Sequence, residues 1–367
     1  SGPFSRIARL STDRLRPTRS RQTAGSIVMD DGSRIEMMRS FKFAAVAALA
    51  TALCAPAANA YTTTRKFHPG QYTVLLHSNR DQRYMDEAAR KPGMRGIMKK
   101  YRWRELEPTQ GNYNLSGIQA DLNWAQAYGM QLIIMIEDKT FKLERPNPAY
   151  LDSLTPRNRA GGYTVLRFHP TVVTRYKALT TAIGKRFDTH PNFEGIAQQE
   201  SALGLDSTVL KQFGYTPEKY RDALISSFSH ALAVMPRSRV FWYQNYFVGN
   251  QNYIGAVAAA TGPKGMVMAG PDVLPDKRQL VTESYPFFEK FRGKMHLGIQ
   301  VENICYKHLH ATSGYSTKYW TTGELFRYAR DKLHVDYMFW VRIPQSDFPD
   351  SYDWYDALKV VQANPVF

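Results

Sequence analysis

The sequence predicts an α/β protein in which eight parallel strands close into a single-domain (β/α)8 TIM barrel. Three observations predict it. Eight short apolar runs follow one another between residues 72 and 342. Amphipathic stretches of helical period separate them, and that alternation builds a parallel sheet covered by helices. No Gly-x-Gly-x-x-Gly follows the first run, so an open dinucleotide-binding sheet lacks its phosphate loop.

The runs are "YTVLLHS" (72–78), "RGIMKKYRW" (95–103), "QLIIMIED" (131–138) and "FEGIAQQE" (193–200) in the first half. "RVFWYQNY" (239–246), "GMVMAG" (265–270), "HLGIQVEN" (296–303) and "VDYMFWVR" (335–342) complete the set. Between them lie helical patterns such as "LSGIQADLNWAQAYG", "VVTRYKALTTAIGKRF", "PEKYRDALISSFSHALAVM" and "TTGELFRYARDKL". Eight strand–helix units in about 300 residues suit a closed barrel better than an open sheet. No Pro/Ser-rich linker interrupts them, so residues 61–367 are read as one domain.

The N-terminus reads differently. Residues 37–60, "MMRSFKFAAVAALATALCAPAANA", have a basic start (Arg39, Lys42), an apolar stretch from Phe43 to Leu53 and a small-x-small end at Ala58-Asn59-Ala60. This is the pattern of a secretory signal peptide with cleavage before Tyr61, so a secreted or periplasmic protein is expected. The apolar stretch is too short to span a bilayer, and no integral membrane segment is expected after cleavage. Residues 1–36 are rich in Arg, Ser and Thr and are read as disordered or as translated upstream sequence.

From residue 61 onward the chain carries 39 Lys/Arg against 28 Asp/Glu, a net of +11. An exported basic protein attracts anionic polymers, so the expected partner is a carbohydrate, with acidic polysaccharide as one form of it. No Lys/Arg run is interleaved with aromatics, so nucleic acid is not expected. Only Cys305 remains after cleavage, which rules out an intrachain disulfide; no Cys/His spacing suggests zinc, and no cofactor is expected. The 22 Tyr, 19 Phe and 6 Trp suit stacking on sugar rings, although aromatics also fill cores.

Two carboxylates carry the functional signal. Glu200 ends the fourth run and Glu302 the seventh. A carboxylate at the mouth of a core strand is costly unless it is paired or used. Active sites of such barrels sit at the carboxyl ends of the strands, so both glutamates are expected in one cup.

With these positions the sequence resembles the retaining glycoside hydrolases of clan A. A second stretch supports the likeness: "YRWRELEPTQGNYNLSGIQADLNWAQAYGMQLIIMI", with Trp103, Glu107-Pro108, Gly111 and Tyr113, is similar to the clan's second-strand segment. The resemblance implies a β-linked glycan as substrate, Glu200 as acid/base and Glu302 as nucleophile. One departure stands out. Most members carry Asn just before the acid/base, where it binds the sugar 2-hydroxyl; this chain has Gln199 there, expected to contact substrate with a longer reach or to mark a different subsite.

Further candidates come from strand ends. Trp340 and Arg342 end the eighth run, as a sugar platform and a ligand contact. Tyr243 and Asn245 end the fifth, Asp272 follows the sixth, and His77 ends the first. Tyr306, His308 and His310 follow Glu302 and are expected along the cleft. Glu137 and Asp138 end the third run and are rival catalytic carboxylates, or else partners of Lys139 or Lys142. Two other functions stay open: a carbohydrate-binding barrel without catalysis, and a barrel hydrolase or lyase acting through Glu137 or Asp138.

Overall fold

The computed structural model describes residues 64–77, 80–142, 144–306, 320–343 and 352–366, all within one compact unit spanning Pro56–Phe367. The expected signal segment (37–60), the segment 1–36, His308 and His310 lie outside the described residues.

Eight parallel strands close in sequential order. They are β1 (Gly70–Leu75), β2 (Met94–Arg102), β3 (Gln131–Glu137), β4 (Phe193–Gln198), β5 (Arg239–Tyr243), β6 (Met266–Gly270), β7 (Leu297–Val301) and β8 (Tyr337–Val341). Each coincides with one apolar run. The fold is the (β/α)8 barrel that the runs predict. Two boundaries matter for function: β4 stops before Gln199, and β7 stops before Glu302.

The helices start where their caps dictate. In the helix Pro217–Val234, Thr216 Oγ1 accepts from the Lys219 amide at 3.1 Å and Pro217 opens the first turn. Thr321 and Glu324 form a reciprocal capping box before the helix Thr322–Asp331. A cap of this kind contributes about 1 kcal/mol.

Strand register decides which side chains fill the barrel. Tyr72 aligns with Phe339, Ile133 with Gly195, Phe241 with Val267, and Gln300 with Phe339. Paired positions share a face, so alternate residues of every strand point inward. The interior is an aromatic stack: Phe241 meets Tyr337 edge-on at 5.1 Å, and Phe339 lies 5.9 Å from both Tyr72 and Phe241. These rings need room opposite them. A Cβ on Gly96 would fall 2.7 Å from the Tyr72 ring and 2.2 Å from the Gln131 carbonyl, so only glycine fits there.

The amino-terminal floor is polar and tied shut. Glu194, fully buried, accepts from His68 N at 3.0 Å and Tyr337 Oη at 2.7 Å, while His68 Nδ1 lies 2.6 Å from its other oxygen. Burial alone would push this carboxyl up, but the hydrogen bonds from His68 and Tyr337 hold it below the usual range. Arg65 donates to the carbonyls of Leu232, Met235, Ser238 and Lys264, binding the segment before β1 to the ends of two helices.

Candidate active site

The carboxyl ends of the strands form the cup. Glu200, two residues past β4, is met by two donors: Lys139 Nζ at 2.8 Å on Oε1 and Asn245 Nδ2 at 2.6 Å on Oε2. Lys139, two residues past β3, also donates to the Ala202 carbonyl at 2.8 Å. Burial lowers the proton affinity of its amine, and the charge of Glu200 partly restores it. Asn245 Oδ1 accepts from the Ala202 amide at 3.0 Å and Ser201 Oγ at 3.1 Å. One side chain from the end of β5 thus fixes both the carboxylate and the backbone that carries it.

Gln199 reaches sideways. Its Oε1 accepts from the amides of Asp138 and Lys139, both at 2.9 Å, and it is 4 % exposed. The side chain joins the ends of β4 and β3 and thereby holds Lys139 beside Glu200. The extra methylene relative to Asn supplies that reach.

Asp272 feels the charge of both glutamates. It lies two residues past β6, the neighbour of β7. Removal from water pushes its carboxyl up to about 7, with further contributions from the charges of Glu302 and then Glu200. Asp272 is thus raised by burial first and by the charges of the two glutamates second. Glu302, one residue past β7, is half-buried.

The rival carboxylates separate. Asp138 forms a two-point ion pair with Arg167, at 2.7 Å to Nε and 2.5 Å to Nη2, and both side chains are sealed from solvent. Asp138 follows β3 directly and turns to the helix side, where its pairing with Arg167 makes it a structural anchor. Arg167 also donates to the Glu200 carbonyl at 2.5 Å. Glu137 does face inward, with Arg102 Nε 3.4 Å away, and Arg102 pairs in turn with Glu144. His77 stands at the rim with its Nε2 3.1 Å from Glu105, which Arg80 grips at 2.8 Å through both oxygens.

Four expected site residues stand elsewhere. Trp340 is fully buried, and its Nε1 donates to Gln71 Oε1 at 3.0 Å on the helix side of the wall. Arg342 shares that side, bonded to Glu87 at 3.0 Å and 3.6 Å from the Tyr84 ring centre. Both are displaced from the cup by strand alternation, since Tyr337, Phe339 and Val341 take the inward positions. Tyr243 does point inward but is 2 % exposed with its hydroxyl on Met98 Sδ at 3.4 Å, below the cup. Tyr306 is fully buried, its ring 6.5 Å from Trp340.

Lys139, Arg102 and Arg167 escaped the sequence reading as members of the site. Lys139 had a visible signal, because a cation two residues past a barrel strand belongs to the mouth. The segment after β2 also gains an explanation. Buried Glu107 accepts from Trp103 Nε1 and the Gly111 amide, both at 2.9 Å, and pairs with Arg175, which donates to the Tyr113 hydroxyl at 3.2 Å. Gly111 has φ +79°, which a side chain would disfavour.

The sequence matches no protein-family model and no curated protein. Solved structures do match in fold. Endo-glycoceramidase II from Rhodococcus sp. is 12% identical with a TM-score of 0.51, over 79% of this chain and 78% of that one. A β-galactosidase from the psychrophilic Marinomonas ef1 is 11% identical with a TM-score of 0.51, over 80% of this chain and 59% of that one. The catalytic domain of β-amylase from Paenibacillus polymyxa is 8% identical with a TM-score of 0.53, over 82% of this chain and 100% of that one. At such identities the likeness is one of barrel architecture.

Proposed function

We propose that this chain is an exported retaining glycoside hydrolase that cleaves a β-linked polysaccharide or oligosaccharide, with Glu302 as nucleophile and Glu200 as acid/base. The observation that supports the reading is the placement of Glu200 just past β4 and Glu302 just past β7, at the carboxyl ends of a closed parallel barrel. The fold neighbours named endo-glycoceramidase and β-galactosidase support it as analogues of architecture. Export rests on the signal-like segment 37–60.

In the first step a Glu302 oxygen attacks the anomeric carbon while Glu200 gives its proton to the departing glycosidic oxygen. The glycosidic bond breaks as the glycosyl–Glu302 ester forms. In the second step Glu200, now a carboxylate, takes a proton from water, and the hydroxide equivalent attacks the anomeric carbon. The ester breaks, Glu302 is regenerated, and configuration is retained. Asn245 holds Glu200 in place through both half-reactions. A barrel working through Asp138 is disfavoured by its buried pairing with Arg167.

The test is a panel of β-linked polysaccharides and aryl β-glycosides with the anomer of the first product followed by NMR. A β-anomer supports the reading, and an initial α-anomer excludes double displacement. Absence of activity with retained sugar affinity favours the binding-only barrel.

A further inference from the structure

The second strand alternates, and its alternation puts cations on both sides of the wall. Lys99 and Tyr101 turn to the helix side. There Lys99 Nζ donates to Asp121 Oδ1 at 2.7 Å, and the Tyr101 hydroxyl donates to the other oxygen of the same carboxylate. Asp121 belongs to the helix Ser116–Ala127. The intervening residues of β2 therefore face the barrel axis. Met98 does so, with its Sδ 3.4 Å from the Tyr243 hydroxyl, and Gly96 does so, packed against the Tyr72 ring. Continuing that row toward the carboxyl end places Lys100 and Arg102 in the cup. Lys100 stands level with Met135 on β3, and Arg102 level with Glu137.

The cations around this side of the mouth are paired, with one exception. Arg102 holds Glu137, with its Nε 3.4 Å away, and Glu144. Lys139 holds Glu200 and the Ala202 carbonyl. Arg80 holds Glu105, and Arg167 holds Asp138. The ammonium of half-buried Lys100 makes no hydrogen bond or ion pair among the described residues. Its neighbours in the inward rows, Met98 and Met135, are buried and uncharged. An ammonium partly withdrawn from water without a counter-charge costs stability. Proteins keep such local conflicts at functional sites, where a ligand supplies the missing partner.

We propose that Lys100 binds the acidic group, carboxylate or sulfate, of an anionic glycan, so that the β2 wall of the cup selects charged sugar units over neutral ones. This rests on the glycosidase reading of the same cup and names its substrate class. The strand order supports the placement. The wall runs from β7 through β8, β1, β2 and β3 to β4, so Lys100 stands on the arc between Glu302 and Glu200. A lysine ammonium is a compact point charge with three donors, and it takes either anion. A neutral hydroxymethyl group in the same place would leave that charge unpaired. Glu137, level with Arg102, is already engaged by it.

The test compares matched hexasaccharides: cellohexaose, its form oxidised to carboxylates at the primary hydroxyls, and its form sulfated at the same positions. Mannohexaose and hexa-β-mannuronate make a second pair. Binding is read by calorimetry in the Glu302→Gln background, which is expected not to turn substrate over. Lys100→Met should weaken binding of the acidic hexamers roughly tenfold or more and change the neutral ones far less. Lys100→Arg should keep the acidic preference. The tighter of the carboxylated and sulfated forms names the group the site takes.

Absence of any preference for an acidic hexamer over its neutral partner, with Lys100 intact, overturns the proposal; this arm needs no lysine variant to fold. An equal loss for acidic and neutral hexamers in Lys100→Met also overturns it, because the lysine would then only shape the cup. Two outcomes separate the site from the glycosidase reading. Lysine-dependent binding of acidic hexamers that the parent never cleaves keeps the site and ends that reading. Cleavage of neutral hexamers alone, at the parental rate in Lys100→Met, keeps the reading and ends the site.

Discussion

Arg167 and Asp138 form a two-point ion pair behind the wall of the barrel, with the same guanidinium reaching the backbone carbonyl of Glu200. The segment that carries Glu200 is thus anchored from outside the cup by a charge pair that never meets solvent. Removing one member leaves the other buried and uncompensated, which costs about 3–5 kcal/mol.

Asp138→Ala should therefore lower Tm by roughly 10 °C. Asp138→Leu combined with Arg167→Met should recover part of the loss, because no charge is then stranded. Calorimetry on the three variants decides it. An Asp138→Ala protein with the parent Tm and no turnover would return Asp138 to the chemistry.

The two glutamates are distinguished by leaving group and by azide. Glu302→Ala should lose hydrolysis of every substrate, and added azide should give a glycosyl azide of inverted configuration. Glu200→Ala should still form the intermediate from an activated aryl glycoside, which needs little protonation. Azide should then speed its turnover with retention. Exchange of the two azide products between the variants would reverse the roles.

Trp340 stands behind the wall, so its substitution should be felt by stability and not by substrate affinity. Trp340→Phe removes the donor to Gln71, whose own amide holds the Asn364 carbonyl at 2.7 Å. The expected cost is about 1–3 kcal/mol with KM unaltered. A large rise in KM at constant Tm would put the indole in the sugar site after all.

Acid should weaken the rim near His77. Burial alone would raise the Glu105 carboxyl, but hydrogen bonds and charge from His77 and Arg80 outweigh it and hold it at about 2. Its folded value lies below its unfolded one. The stabilisation is complete above the ordinary carboxylate range, near 4.5, and is lost as pH falls toward about 2. Glu105→Gln should flatten that part of the stability–pH curve in chemical unfolding. A curve of unchanged slope would remove Glu105 from the acid response.

The basic balance gives a salt test. With a net of +11 from residue 61 onward, affinity for an acidic polysaccharide should fall steeply between low and high salt. Exposed charges interact over about 8 Å at physiological ionic strength. Equal affinity at both would separate the surface charge from substrate choice.

The barrel was legible because each strand is a continuous apolar run and the runs are spaced by helical patterns. Glu200 and Glu302 were legible because each interrupts such a run at its end. Trp340 and Arg342 were not. In a strand buried on both faces, composition does not say which alternate residues point inward. That is settled by register with neighbours far away in sequence, such as Gly298 opposite Tyr337. The pairing of Lys139 with Glu200 is hidden for the same reason, since it joins residues 61 positions apart. Asp272 was legible as a polar strand-end residue, but its coupling to both glutamates arises only when β4, β6 and β7 share one mouth.

The aromatic stack of Tyr72, Phe241, Phe339 and Tyr337 has an electrical consequence. It lies between an acidic floor at Glu194 and the carboxyls past β4, β6 and β7 at the other end of the strands. After burial, the largest influences on Asp272 are Glu302 and Glu200 at the mouth, and those on Glu194 are His68 and Tyr337 at the floor. Protonating Glu194 weakens its ties to His68 and Tyr337, so acid can loosen the barrel from its floor, at the end of the stack away from Glu200 and Glu302.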